Sequence, residues 1–194
     1  MSASTEPASL RAPASRDRAW PLTWLSGRDR RLRSVLSLDD FETQARRHLP
    51  RSVFAFVHGG VEAELTLRDN REVFNDYHLV PRVLVGVANR NQRTPLLGAT
   101  YGSPFSVAPM GMQSLVGYQG DLAIARACAE ANIPFIQSGA SLIRMEDIAA
   151  ACPTAWFQAY LPLNFADTEG LIARVEKAGF RTLVITVDMT AGSN

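Results

Sequence analysis

Between residues 104 and 188, short apolar runs alternate with longer amphipathic stretches: PFSVAPM, GDLAIARACAEAN, IPFIQSG, MEDIAAA, AWFQAY, FADTEGLIARVEKAG and RTLVITVD. That rhythm predicts β-α-β-α-β-α-β. Runs such as FSVA and VITV are apolar at successive positions, as expected of parallel strands covered on both faces by helices or a barrel interior. The sequence ahead of them reads differently. In SLDDFETQARRHLP, Leu38, Phe41, Ala45 and Leu49 return on one helical face, Ser37 with Asp40 can cap the start, and Pro50 ends the helix. A second helix in PRSVFAFVHGG takes Pro50 into its first turn and is expected to stop at Gly59 or Gly60 in a left-handed conformation. A third is expected through VEAELTLRDNREVFNDY, so a helical cap feeds a larger α/β unit.

Residues 1–34 show neither period and are rich in Ser, Ala, Pro and Arg, which reads as a flexible, solvated arm ahead of a domain over 35–194. Its arginine excess has an organelle-targeting look, but the plainer reading is a tail with Trp20 and Trp24 resting on the domain. The chain has 194 residues, 46% hydrophobic and 20% charged, which suits a folded globular protein and excludes wholesale disorder. It is too short for a complete (β/α)8 barrel of about 250 residues. Four strands close nothing, and the last would be left as an apolar edge. The expectation is therefore the amino-terminal part of a longer protein. A net charge of +1 gives no nucleic-acid footprint, and no run of about 18 apolar residues is present to span a membrane. Two isolated cysteines, Cys128 and Cys152, support neither a disulfide framework nor a zinc site and fit a reducing, cytoplasmic setting.

Candidate chemistry collects where each strand ends. Pro109, Met110 and Gly111 follow the first, Ser138 and Gly139 the second, Gln158 and Tyr160 the third, and Thr186 with Asp188 the fourth. Ligand sites of parallel α/β folds lie on that carboxyl edge. Tyr160 stands two residues after Gln158 and so points to the same side of its strand. His48, His58 and His78 fall in the early helices and the loop after them, and Lys177, the only lysine, falls on an outer helix.

Six segments in order, LPRSVFAFVHGGVEAELTLRDN, HLVPRVL, SPFSVAPMGMQSL, GDLAIARACAEANIPFIQSGAS, WFQAYLP and AGFRTLVITVD, resemble the FMN-dependent α-hydroxy-acid oxidase and dehydrogenase family over residues 37–194. The resemblance implies a TIM (β/α)8 barrel, of which this chain holds the helical cap and about the first four strands. It also implies FMN across the strand ends and oxidation of an (S)-2-hydroxy acid to a 2-oxo acid by hydride transfer to flavin N5. By position, Pro109, Met110 and Gly111 would set backbone against the flavin near N5. Ser138, Gln158 and Thr186 would hydrogen-bond the ring, while Gly139 departs from the family's usual Ser or Thr and gives up a side-chain donor. Tyr160 would face the substrate hydroxyl. Phe56 stands where the family has a second tyrosine for the substrate carboxylate, which argues for a bulkier, more apolar substrate.

The family's catalytic histidine, its flavin-polarising lysine, its carboxylate-binding arginines and its phosphate loops lie past the fourth strand. The expected consequence is a chain that is inactive alone and binds FMN weakly. A small 2-hydroxy acid is the expected partner, and a homo-oligomer stays open. The competing reading is a truncated, non-catalytic half-barrel that serves as a binding or assembly module.

Overall fold

The computed structural model describes Arg33, residues 35–162 and residues 164–188. The flexible arm, including Trp20 and Trp24, otherwise lies outside the described residues. The chain divides into two units, Met1–His48 and Leu49–Asn194.

In the first unit helix α1 runs Asp40–His48. Asp40 supplies its start: the carboxylate Oδ2 accepts the backbone N–H of Leu36 at 2.7 Å and of Ser37 at 2.9 Å. Those two bonds hold the Asp40 carboxyl below its usual range, the Ser37 amide first and that of Leu36 second. The apolar stripe read along this helix buries no residue.

The second unit opens with α2 (Arg51–His58) and α3 (Leu65–Glu72), each without a buried residue. Two expectations are corrected here. Gly59 stops α2 in extended backbone (φ −70°, ψ 145°), not in the left-handed region, and glycine is suited there because a Cβ would lie 2.9 Å from Ala55 O. The long third helix is instead α3 followed by a 3-10 turn over Val73–Asp76. Its first residues are lost because Glu62 and Glu64 take φ of 50° and 56°.

An antiparallel hairpin, β1 (Thr94–Leu96) and β2 (Ala99–Tyr101), precedes the parallel part. There β3 (Ile136–Gln137), β4 (Trp156–Ala159) and β5 (Leu183–Ile185) form a parallel sheet in sequence order. Helices α4 (Gly120–Ala131), α5 (Met145–Ala151) and α6 (Phe165–Ala178) alternate with them. The first expected strand, PFSVAPM, is reduced to one parallel bridge between Val107 and Phe135. Val107 donates to Pro134 O and accepts from Ile136, and the ladder goes no further toward the amino end because Pro134 has no N–H.

Along β4, Phe157, Gln158 and Ala159 are all buried, and side-chain character alternates with a period of two. Phe157 and Ala159 join Phe135, Ile148, Val175 and Phe180 in the core against the helices, and Gln158 faces the other way. Phe157 and Phe180 meet edge to face, with ring centroids 5.6 Å apart. Each large side chain so buried contributes about 1.5–3 kcal/mol. Cys128 and Cys152 are free and buried in the same core, and burial, then proximity to Cys152, pushes the Cys128 thiol up. Coverage on both faces, expected for VITV, does not extend to β5: Val187 is 83% exposed, and among the described residues no strand pairs with the outer edge of β5. No helix among the described residues is long and apolar enough to cross a membrane.

The helix boundaries have local causes. Asn164 caps α6 by accepting the Ala166 N–H at 3.0 Å, and Gly179 ends it at φ 100°, where its N–H returns to Glu176 and Val175 carbonyls. Helices α5 and α6 are joined by a bidentate pair, Arg174 Nε to Glu146 Oε1 at 3.0 Å and Nη2 to Oε2 at 3.3 Å, with Arg144 Nε 3.5 Å from Oε2. The hydrogen bonds from Arg174, then the backbone N–H of Glu146 itself, lower its carboxyl pKa from 4.5 to about 2. The folded-state value lies below the unfolded one. The pair's stabilisation is therefore complete above about pH 4.5 and fades as pH falls from there toward 2. Glu146→Gln is expected to flatten that part of the melting-temperature profile; parallel profiles for variant and parent through this window would refute the assignment.

Candidate functional site

The carboxyl ends of β3, β4 and β5 are tied by one side chain. Gln158 is 2% exposed, and its Oε1 accepts from Ser138 Oγ at 3.3 Å and from the Gly139 N–H at 3.1 Å. Its Nε2 donates to Thr186 Oγ1 at 2.7 Å. Ser138 Oγ in turn accepts the Ala140 N–H at 3.1 Å. The amide is thus oriented by its neighbours, with oxygen toward β3 and nitrogen toward β5. Both lone pairs of Oε1 are engaged, which leaves the second Nε2 hydrogen and the Thr186 hydroxyl hydrogen as donors toward a ligand.

Gly139 is where it is for a steric reason. A Cβ there would lie 2.9 Å from the Gln158 carbonyl oxygen, a distance that real Cβ atoms essentially never show. The departure from a hydroxyl residue therefore allows β3 to close on β4. The Gly139 N–H and the Ser138 hydroxyl both donate to Gln158.

The loop after the first strand leans on the same turn. Met112 N–H donates to Ala140 O at 3.1 Å, and a Cβ on Gly111 would come within 3.1 Å of the Ala140 Cβ. Gly111 thus stands beside the 138–140 turn, with half-buried Pro109 and exposed Met110 just before it. Tyr160 follows Gln158 on the open side of the strand end and is 48% exposed. Of the nine residues expected at the strand ends, Ser138, Gly139, Gln158 and Thr186 are joined by hydrogen bonds, Gly111 stands beside them, and Tyr160 follows Gln158 in the chain; no hydrogen bond brings Pro109, Met110 or Asp188 into the cluster. Phe56 does not join the hydrogen-bonded cluster: it lies on α2 and is 67% exposed. His48, His58, His78 and Lys177 are all exposed.

Two buried polar groups escaped the sequence reading. Gln137, inside the apolar run IPFIQSG, points to the helix side, where its Nε2 donates to Ile143 O at 3.0 Å. Asp121, in the first turn of α4, is fully buried with neither carboxylate oxygen hydrogen-bonded. A polar residue interrupting an apolar strand was the available signal for the first; the second sits where an acid ordinarily just complements a helix terminus.

The family model for FMN-dependent dehydrogenases matches residues 45–194. The chain is 40% identical over 151 residues to the L-lactate oxidase of Lysinibacillus sphaericus, covering 77% of this chain and 39% of that protein. It is 32% identical over 157 residues to the (S)-mandelate dehydrogenase of Pseudomonas putida, covering 80% and 40%. Among solved structures, a mandelate oxidase superposes with a TM-score of 0.75 at 34% identity, covering 79% of this chain and 45% of that one. The chain thus spans about two fifths of the length of the curated relatives it matches.

Proposed function

The chain belongs to the family of FMN-dependent dehydrogenases, and from that membership we propose that it supplies one wall of a flavin site in a protein that oxidises an (S)-2-hydroxy acid to a 2-oxo acid. The observation that carries this is the oriented amide of Gln158, held between Ser138, Gly139 and Thr186 at the ends of three parallel strands. Its second Nε2 hydrogen and the Thr186 hydroxyl suit the polar edge of an isoalloxazine ring, which offers carbonyl and ring-nitrogen acceptors. The sheet and the bridge at Val107 correspond in this reading to the first four strands of a (β/α)8 barrel.

FMN, when bound, supplies the acceptor for the hydride that leaves the substrate α-carbon. Gly111 and Met110 offer backbone to the ring beside the 138–140 turn, and Gln158 and Thr186 fix its polar edge. Tyr160, on the open side of Gln158, donates a hydrogen bond to the substrate oxygen as charge develops there. Phe56, with no hydroxyl, leaves the carboxylate to other groups and favours a larger apolar substituent. The relatives named for lactate and mandelate support a small 2-hydroxy-acid substrate, and of the two only mandelate has a large apolar substituent.

The test is a flavin titration of the 194-residue chain followed by fluorescence quenching. Saturable but weak FMN binding is expected, reduced about tenfold by Thr186→Val, which removes one donor of roughly 1–1.5 kcal/mol. In a protein that joins this segment to the rest of the family's length, Tyr160→Phe should lower 2-hydroxy-acid turnover while flavin stays bound. Unchanged turnover would remove Tyr160 from the chemistry, and absence of any FMN binding would remove the site.

A further inference from the structure

A cavity of about 240 Å³ lies between the β3–α5 turn and α6 and is lined in part by Ser138 and Gly139 of the strand-end cluster. Gln137, Ser141, Arg144, Phe157 and Arg174 are among its walls. Gln137 is 1% exposed, and although its Nε2 is engaged with Ile143 O, its Oε1 is a buried acceptor with no hydrogen-bond partner. Such an acceptor costs about 1–3 kcal/mol unless something donates to it. At the rim stand two guanidinium groups against one carboxylate: Arg174 and Arg144 share Glu146, so one positive charge is left over. The pairing uses Arg174 Nε and Nη2 and leaves its Nη1 for another oxygen.

We propose that this cavity binds a small oxyanion that also carries an O–H, its hydroxyl donating to Gln137 Oε1 and its charged oxygens meeting Arg174 and Arg144. Hydrogen phosphate and a short hydroxy-carboxylate share that chemistry. The site is built from two successive β/α units and shares the Ser138–Gly139 turn with the strand-end cluster, but the groups that would meet its ligand, Gln137, Arg144 and Arg174, have no part in the flavin reading, so the two can stand or fail separately.

Two matched pairs of probes separate the hydroxyl from the charge: inorganic phosphate against sulfate, which has no O–H near neutral pH, and glycolate against acetate. Calorimetric titration of the 194-residue chain should show saturable binding with the hydroxyl-bearing partner favoured by on the order of tenfold, as one hydrogen bond to a buried acceptor requires. Preference within the phosphate pair alone identifies a phosphate source, and preference within the glycolate pair alone a hydroxy-acid source. Gln137→Met should remove the preference. Arg144→Gln, at an exposed rim position that leaves the core intact, should weaken both members of a pair alike and keep the preference. Equal affinities within both pairs, or no saturable binding by any probe, would overturn the proposal.

Discussion

Replacing Gln158 by leucine is expected to lower the stability of the second unit by about 2–5 kcal/mol, since it leaves the Ser138 hydroxyl, the Gly139 N–H and the Thr186 hydroxyl short of a partner at once. Leucine keeps most of the volume, so the loss reports polar groups and not a cavity. Gln158→Glu should cost much less. A carboxylate still accepts from Ser138 and Gly139, and the Thr186 hydroxyl can turn from acceptor to donor. Urea denaturation reads the difference as a drop in midpoint at constant slope. A leucine variant within about 0.5 kcal/mol of the parent would mean that the three strand ends are held by their ladders alone.

Gly139→Ser is the second large effect, and its sign runs against intuition. The family resemblance makes serine look like a restoration, yet the new Cβ would meet the Gln158 carbonyl oxygen at 2.9 Å. Backbone lies on both sides of that contact, so relief requires the ends of β3 and β4 to part, which also stretches the Gly139 N–H bond to Gln158 Oε1. Overpacking of this kind costs about 1–3 kcal/mol. A melting temperature lower by roughly 3–10 °C follows for a chain of this size. Flavin affinity should fall with it. An unchanged melting temperature would show that the strands part without cost. Because both substitutions act on the same bond, their combination should destabilise by less than the sum.

The alternation of apolar runs and amphipathic stretches was enough to place α4–α6 and the three paired strands, because there local period and tertiary burial agree. It failed where neighbours decide. The first strand is apolar like the others, but its ladder is limited on both sides of Val107, by the missing N–H of Pro134 on the adjacent segment and by that of its own Pro109. The β1–β2 hairpin was not legible at all: its two-residue turn, Leu97-Gly98, has φ of 48° and 80°, a primed-turn pattern usually announced by Asn-Gly, and leucine gives no such signal. At the strand ends the residue types were readable, but not their partners. Ser138 and Gly139 looked like separate ligand contacts, and they are the two groups that aim Gln158.

The hairpin has a practical side. Trp156, on β4, donates its indole N–H to the buried Tyr101 hydroxyl at 3.0 Å, and the two rings stand edge to face 6.2 Å apart. That pair joins positions 55 residues apart and is the side-chain link between the hairpin and the parallel sheet. An indole placed at this seam is an internal optical gauge. In a variant with Trp20 and Trp24 replaced by phenylalanine, its emission separates a seated hairpin from a detached one while the helices stay intact, so partial opening can be followed without a label.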